Sequence, residues 1–173
     1  NEAFMSETES KTADPRVAAA ISHWAPRFVA NGVLLADFQE VTASIGRWED
    51  WCAAWCQRAK IHEALGRDAL GQGYKLTAGE HLVRAAMYYH FAKFVFVHDL
   101  EQMRSAHLQS LACYQAALPH MRPAGARVAI PFEGRTLYGV LRRPTPAPAP
   151  VVIMAPGLDS TKEELHAYEE PFL

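Results

Sequence analysis

The 173-residue chain has little cysteine, no strong bias of charge and no long apolar run. Each shortage removes a class of protein. Three cysteines, Cys52, Cys56 and Cys113, are an odd count for a disulfide framework. Cys52 and Cys56 lie four apart, with no second CxxC or CxxH pair, so they read as reduced core thiols of a cytoplasmic protein rather than zinc ligands. Lys and Arg number 17 against 19 Asp and Glu, a net charge of −2. That balance lacks the basic excess of a nucleic-acid binder. No apolar stretch reaches the ~20 residues of a membrane span. Residues 1–14 are polar and carry acidic groups; with no apolar h-region they read as a disordered tail rather than a signal peptide.

Motifs are missing as well. His62-Glu63 opens an H-E-x-x-H pattern, but Gly66 stands where the second histidine belongs. Gly71-Gln72-Gly73 is followed by Leu76, so the dinucleotide fingerprint fails, and no phosphate-binding P-loop occurs. No metal site is expected. None of the seven serines, Ser6, Ser10, Ser22, Ser44, Ser105, Ser110 and Ser160, sits in a G-x-S-x-G elbow. Asp159, Ser160 and His166 crowd one short turn and helix, where capping and surface roles suit them better than a catalytic triad.

What is present is a globular composition, 50% hydrophobic and 21% charged, in two parts with different grammar. Residues 15–122 read as helical. Asp14-Pro15 is an N-cap followed by proline at the first helical position. Pro26 is expected to kink or break that helix. Leu34, Phe38, Val41 and Ile45 form one face of a second helix, and Trp48, Trp51, Cys52, Trp55 and Ala59 recur on a third. Gly66, Gly71 and Gly73 are expected to open a loop. Thr77-x-x-Glu80 reads as a capping box that starts the strongest helix, Ala78 to about Val97. Apolar residues lie nearly all round it, which places it at the centre. A last helix spans about Asp99 to Leu118 and is stopped by Pro119 and Pro123. The tryptophans are expected to fill the core of this helical part.

Residues 123–173 change pattern. Val128, Ile130 and Phe132 alternate with smaller or polar residues, Glu133-Gly134 turns, and Leu137 to Leu141 returns, which predicts a β-hairpin. Prolines at 144, 146, 148 and 150 form a stiff extended connection. Val151 to Met154 reads as a strand buried on both faces, as in a parallel sheet covered by helices. Pro156-Gly157 ends it, and Ser160-x-x-Glu163 and Thr161-x-x-Glu164 both fit capping boxes of a helix near Ser160. Glu163, Glu164, Glu169 and Glu170 are expected on its solvated face. A strand, a glycine turn and a helix N-terminus together offer backbone N–H groups to an anion or a developing oxyanion.

The order hairpin, buried strand, Pro-Gly-Leu-Asp-Ser-x-x-Glu-Glu resembles the start of an α/β-hydrolase domain. VAIPFEGRTLYGVLRRP and PVVIMAPGLDSTKEE, with LTAGEHLVRAAMYYHFAKF over Leu76–Phe94 in the helical part, resemble the branch that contains 2,6-dihydroxypseudooxynicotine hydrolase and the FrsA-like esterases. The resemblance covers roughly residues 15–173. It implies an α/β fold in which an all-helical cap domain precedes the first strands and first helix of a hydrolase sheet. It makes the Leu158 backbone N–H, after Gly157 in the oxyanion turn, one oxyanion-hole donor. It puts Tyr88, Tyr89, Arg84 and His81 on a helix that lines the substrate pocket.

The same resemblance implies a serine hydrolase without metal or organic cofactor, acting on a small aromatic ketone or ester as a homodimer. The nucleophile elbow, acid and histidine of that fold lie beyond the third strand, so this chain is expected to act only with the remainder of the hydrolase domain. The reaction implied is cleavage of the carbon–carbon bond between a dihydroxypyridine ring and its side-chain ketone, a step in nicotine breakdown. A carboxylesterase of the same branch is the alternative. A non-catalytic helical interaction module is the alternative of another class.

Overall fold

The computed structural model describes residues 14–173, so the expected tail lies outside the described residues apart from Asp14. Five helices come first: α1 (Pro15–Ala30), α2 (Leu35–Ser44), α3 (Trp51–Gly71), α4 (Lys75–Lys93) and α5 (Leu100–Ala117). A hairpin of β1 (Gly125–Phe132) and β2 (Arg135–Arg142) follows. The remainder is extended chain and two short 3-10 turns, Glu164–Tyr168 and Glu170–Phe172. No described helix is long and apolar enough to cross a membrane.

Local chemistry starts the helices at both ends of the bundle. Asp14 accepts from the Arg16 amide at 2.9 Å and from the Trp48 amide at 2.9 Å, so one cap also ties α1 to the turn before α3. Asp99 caps α5 by accepting from the Glu101 and Gln102 amides, each at 3.0 Å.

Helix α4 is the centre, packed between α3 and α5. Leu82, Ala85, Ala86, Tyr88, Tyr89 and Phe91 on it are all buried, which is why its sequence carries no polar stripe. Aromatic rings fill the space between α1, α3 and α4. Phe28 stacks on Phe91 with centroids 3.8 Å apart and meets Trp55 edge-on at 5.3 Å. The Trp51 indole N–H donates to the Phe91 carbonyl at 3.1 Å. Trp48, Trp51 and Trp55 are buried, and Trp24 is half-buried against the same cluster.

Several local expectations are corrected. Pro26 does not break α1, which continues to Ala30; the one N–H lost there is outweighed by the burial of Phe28 and the packing of Trp24 beside it. Gly66 does not open a loop. It sits inside α3, where an added Cβ would lie 2.8 Å from Leu82 Cγ, so the glycine serves the close approach of α4. Gly73, at φ +84°, makes the turn instead. The Thr77 capping box is unused, because α4 already begins at Lys75 and Thr77 lies within its first turn. The helix stops at Lys93, short of Val97.

The hairpin holds as expected. Gly125 pairs with Arg142 and Phe132 with Arg135, and Glu133 and Gly134 turn with φ of +46° and +71°. The segment after it differs from expectation. Val151, Val152 and Ile153 are 78%, 54% and 88% exposed and belong to no strand. A parallel strand exists only through its neighbours, and the described residues hold no third strand beside it. The helix expected near Ser160 is reduced to the Glu164–Tyr168 turn, without a side-chain cap.

Candidate active site

Residues 155–164 form the candidate oxyanion turn and its support. The Ser160 amide reaches back to the Gly157 carbonyl at 3.4 Å. Leu158 is fully exposed, and its N–H meets no acceptor among the described residues. Gly157 has no positive φ. Its value is open approach, since an added Cβ would meet nothing nearer than Asp159 Oδ1 at 3.9 Å.

This turn is fastened to the helical domain by an ionic cluster around the buried Glu164. Arg27 of α1 donates from Nε to Glu164 Oε1 at 2.6 Å and from Nη2 to Glu164 Oε2 at 2.8 Å, a bidentate pair. Its Nη1 donates to Asp159 Oδ2 at 2.7 Å. Glu164 Oε2 also faces His90 Nε2 at 3.1 Å and accepts from the Ser160 hydroxyl. Burial opposes ionisation of Glu164, but hydrogen bonds from Arg27, His90 and Ser160 outweigh it and hold the carboxyl far below the usual range. Burial pulls His90 below its ordinary value, so it is neutral; facing a carboxylate, its Nε2 carries the proton and its Nδ1 is left to accept from Thr161 Oγ1 at 3.3 Å. Glu163 and Glu164, each 2% exposed, are therefore not a solvated face. Ser160 is committed to Glu164 and His166 to Glu169, so no triad forms there.

The four residues expected to bind substrate fall on two networks. The Tyr88 hydroxyl donates to Asp37 Oδ2 at 2.6 Å and accepts from the Leu34 amide at 3.1 Å. His62 Nε2 lies 3.1 Å from the same Asp37 oxygen, and Arg58 pairs with Oδ1 at 3.3 Å. Burial pushes Asp37 up, but Tyr88, His62 and Arg58 together hold it below the usual carboxylate range. An ionised Asp37 only accepts, so His62 Nε2 carries the proton and His62 Nδ1 accepts from His81 Nδ1 at 3.2 Å. His81 then keeps a basic Nε2, and its ring is half-exposed.

Arg84 is near enough to lower both histidines, and its buried Nε has no hydrogen-bond partner among the described residues. Tyr89 stands apart, donating to Glu63 Oε2 at 2.9 Å, with Glu63 held in turn by Arg67. Tyr88 and Tyr89 are 0% and 1% exposed. An apolar groove of about 450 Å³ between α1 and α2 is lined by Ile21, Ala25, Leu35 and Phe38 and by none of the four. Among the described residues no three His, Cys, Asp or Glu side chains converge as metal ligands.

Arg27, Asp37 and His90 are not singled out by the sequence, and His62 enters there only as the start of a failed H-E-x-x-H motif. His62 and His90 carried the one usable signal, a histidine inside an apolar helical pattern that must find a polar partner.

Comparison with known proteins follows the same lines. The family described as "Esterase FrsA-like" matches residues 37–173. Alpha/beta hydrolase xenA of Xenoacremonium sinensis is 36% identical over 124 residues, covering 68% of this chain and 29% of that protein. The 2,6-dihydropseudooxynicotine hydrolase of Paenarthrobacter nicotinovorans is 34% identical over 115 residues, covering 66% of this chain and 31% of that protein. The crystal structure of 2,6-dihydroxy-pseudo-oxynicotine hydrolase superposes with a TM-score of 0.73 at 29% identity, over 83% of this chain and 40% of that one. The chain thus spans under a third of the length of these curated relatives. The helical domain and hairpin are the opening of an incomplete α/β-hydrolase fold, and the chain belongs to the FrsA-like esterase family.

Proposed function

We propose that this chain is the cap-bearing part of a serine hydrolase that cleaves the carbon–carbon bond between a dihydroxypyridine ring and its side-chain ketone. The observation that carries the reading is the exposed Leu158 N–H, without an acceptor among the described residues, on a turn fastened to the cap by Arg27, Glu164 and Asp159. The likeness to the Paenarthrobacter nicotinovorans enzyme supports the substrate class.

In this reading a serine from the remainder of the hydrolase domain adds to the ketone carbon. The negative charge gathers on the carbonyl oxygen, and the Leu158 N–H, with the N–H after the nucleophile, stabilises it. Collapse breaks the bond to the ring. The electron pair stays on the ring carbon, which takes a proton to give 2,6-dihydroxypyridine. Water then releases the acyl group as 4-methylaminobutanoate. No electron is gained or lost overall, so the steps call for no redox cofactor.

The cap supplies recognition. His81, whose half-exposed ring keeps an acceptor at Nε2, suits the acidic hydroxyl groups of the ring, and the Arg84 guanidinium lies near it. Tyr88 and Tyr89 contribute by fixing the same helix through Asp37 and Glu63. The resemblance adds a homodimer as the working assembly.

A second reading is ester hydrolysis at the same turn, which the esterase description of the matched family favours. Parallel assays of the full-length enzyme separate them. Release of 2,6-dihydroxypyridine from the ketone supports the first; turnover of a p-nitrophenyl ester alone supports the second. Turnover of neither points to a non-catalytic helical module.

A further inference from the structure

From the geometry we infer that Arg27 is a positioning residue that sets the Leu158 N–H from the cap side. This rests on the oxyanion role given to Leu158 above. No strand ladder holds residues 151–158 among the described residues, and Leu158 itself touches the cap through nothing but its neighbours. Arg27 fixes the turn from α1, while His90 of α4 holds the same segment through Glu164 and Thr161. Arg27 grips Asp159, the residue directly after Leu158, at 2.7 Å, and Glu164 through two bonds of 2.6 and 2.8 Å.

The fork is itself held in place. Its Cζ lies 4.5 Å over the Phe94 ring and 5.5 Å over Trp24, so aromatic faces of α1 and of the residue capping α4 set its plane. Below it, His90 and Ser160 both donate to Glu164 Oε2. Arg27 precedes residues 37–173, the span matched by the family. It is contributed by the first helix, α1. Its consequence is that the cap and the oxyanion donor move as one body, so substrate seating in the cap is transmitted to the donor.

The test uses the full-length enzyme, with Arg27→Met, Arg27→Lys and Asp159→Asn. Arg27→Met is expected to lower kcat by about 10²-fold with KM nearly unchanged, the size expected for a displaced oxyanion donor. Arg27→Lys is expected not to rescue it, because an ammonium cannot span two carboxylates as a fork. Hydrogen exchange is read in parallel. Amides 157–164 are expected to exchange faster in Arg27→Met, and those of residues 125–142 to stay as they are.

Asp159 is exposed, so Asp159→Asn folds even if Arg27→Met does not, and it carries the same expectation in smaller measure. Unchanged exchange over 157–164 overturns the clamp. Faster exchange with unchanged kcat overturns its positioning role. A wild-type enzyme that turns over neither ketone nor ester removes the functional reading, and the positioning role with it, while the exchange data still report the clamp by itself.

Discussion

Tyr88 and Asp37, 51 residues apart, meet across the helical domain, the tyrosine hydroxyl donating to the carboxylate at 2.6 Å. The same phenol oxygen accepts from the Leu34 amide at the start of α2. One side chain of the central helix thereby satisfies two groups of its neighbour. Tyr88→Phe strips both partners in a buried site and is expected to cost about 1–3 kcal/mol of unfolding free energy, by urea denaturation. A change within about 0.5 kcal/mol would mean that water replaces the hydroxyl.

Acid is expected to weaken the helical domain from about pH 6.5 downward. Burial lowers the folded-state pKa of His62, His81, His90 and His107 below their ordinary 6.5. Above that pH these groups are neutral whether folded or not, so they cost nothing. Below it the unfolded chain takes protons that the folded chain refuses, and stability falls. His90 faces Glu164 and Glu163 from the turn and Lys93 from its own helix, and Lys93 adds to the depression. Lower still, protonation of Asp37 and Glu164 removes the stability their depressed pKa values supply. A melting temperature flat from pH 8 to 4 would contradict this.

Gly66→Ala tests the packing of α3 on α4. Helix propensity alone favours alanine by about 1 kcal/mol. The added Cβ, however, would sit 2.8 Å from Leu82 Cγ and 3.2 Å from the Leu82 amide, where backbone must move. The expected result is a net loss of about 1–3 kcal/mol. A stabilised Gly66→Ala variant would show that the two helices separate easily.

The isolated 173-residue chain is expected to self-associate. Val151, Val152 and Ile153 project into solvent, and Ile130, Phe132 and Leu137 of the hairpin are also exposed. Light scattering over a concentration series is the measurement. A monomer with a sharp melt at all concentrations would contradict it and favour a self-sufficient module.

The parts of the fold legible in sequence are those decided by near neighbours. Asp14-Pro15 caps its helix through a bond two residues long, and Glu133-Gly134 turns the hairpin by its own backbone. The misread parts are decided from afar. Gly66 looks like a helix breaker until Leu82 of another helix is placed against it. Val151 to Met154 has the composition of a buried strand, but no third strand among the described residues lies beside it.

Glu164 looks like one of four surface carboxylates until Arg27, 137 residues earlier, closes on it. In the candidate site, the family resemblance drew attention to Leu158 and to α4, whereas the groups that hold them, Arg27, Asp37 and His90, carry no local motif.

In the proposed reaction the acyl group passes to a serine outside residues 1–173, assisted by the turn at Leu158. Reaction of the full-length enzyme with a fluorophosphonate, followed by peptide mass mapping, tests it most directly. The expected result is one adduct per chain, on a serine other than Ser6, Ser10, Ser22, Ser44, Ser105, Ser110 and Ser160. No adduct, or an adduct on one of these seven, would contradict it.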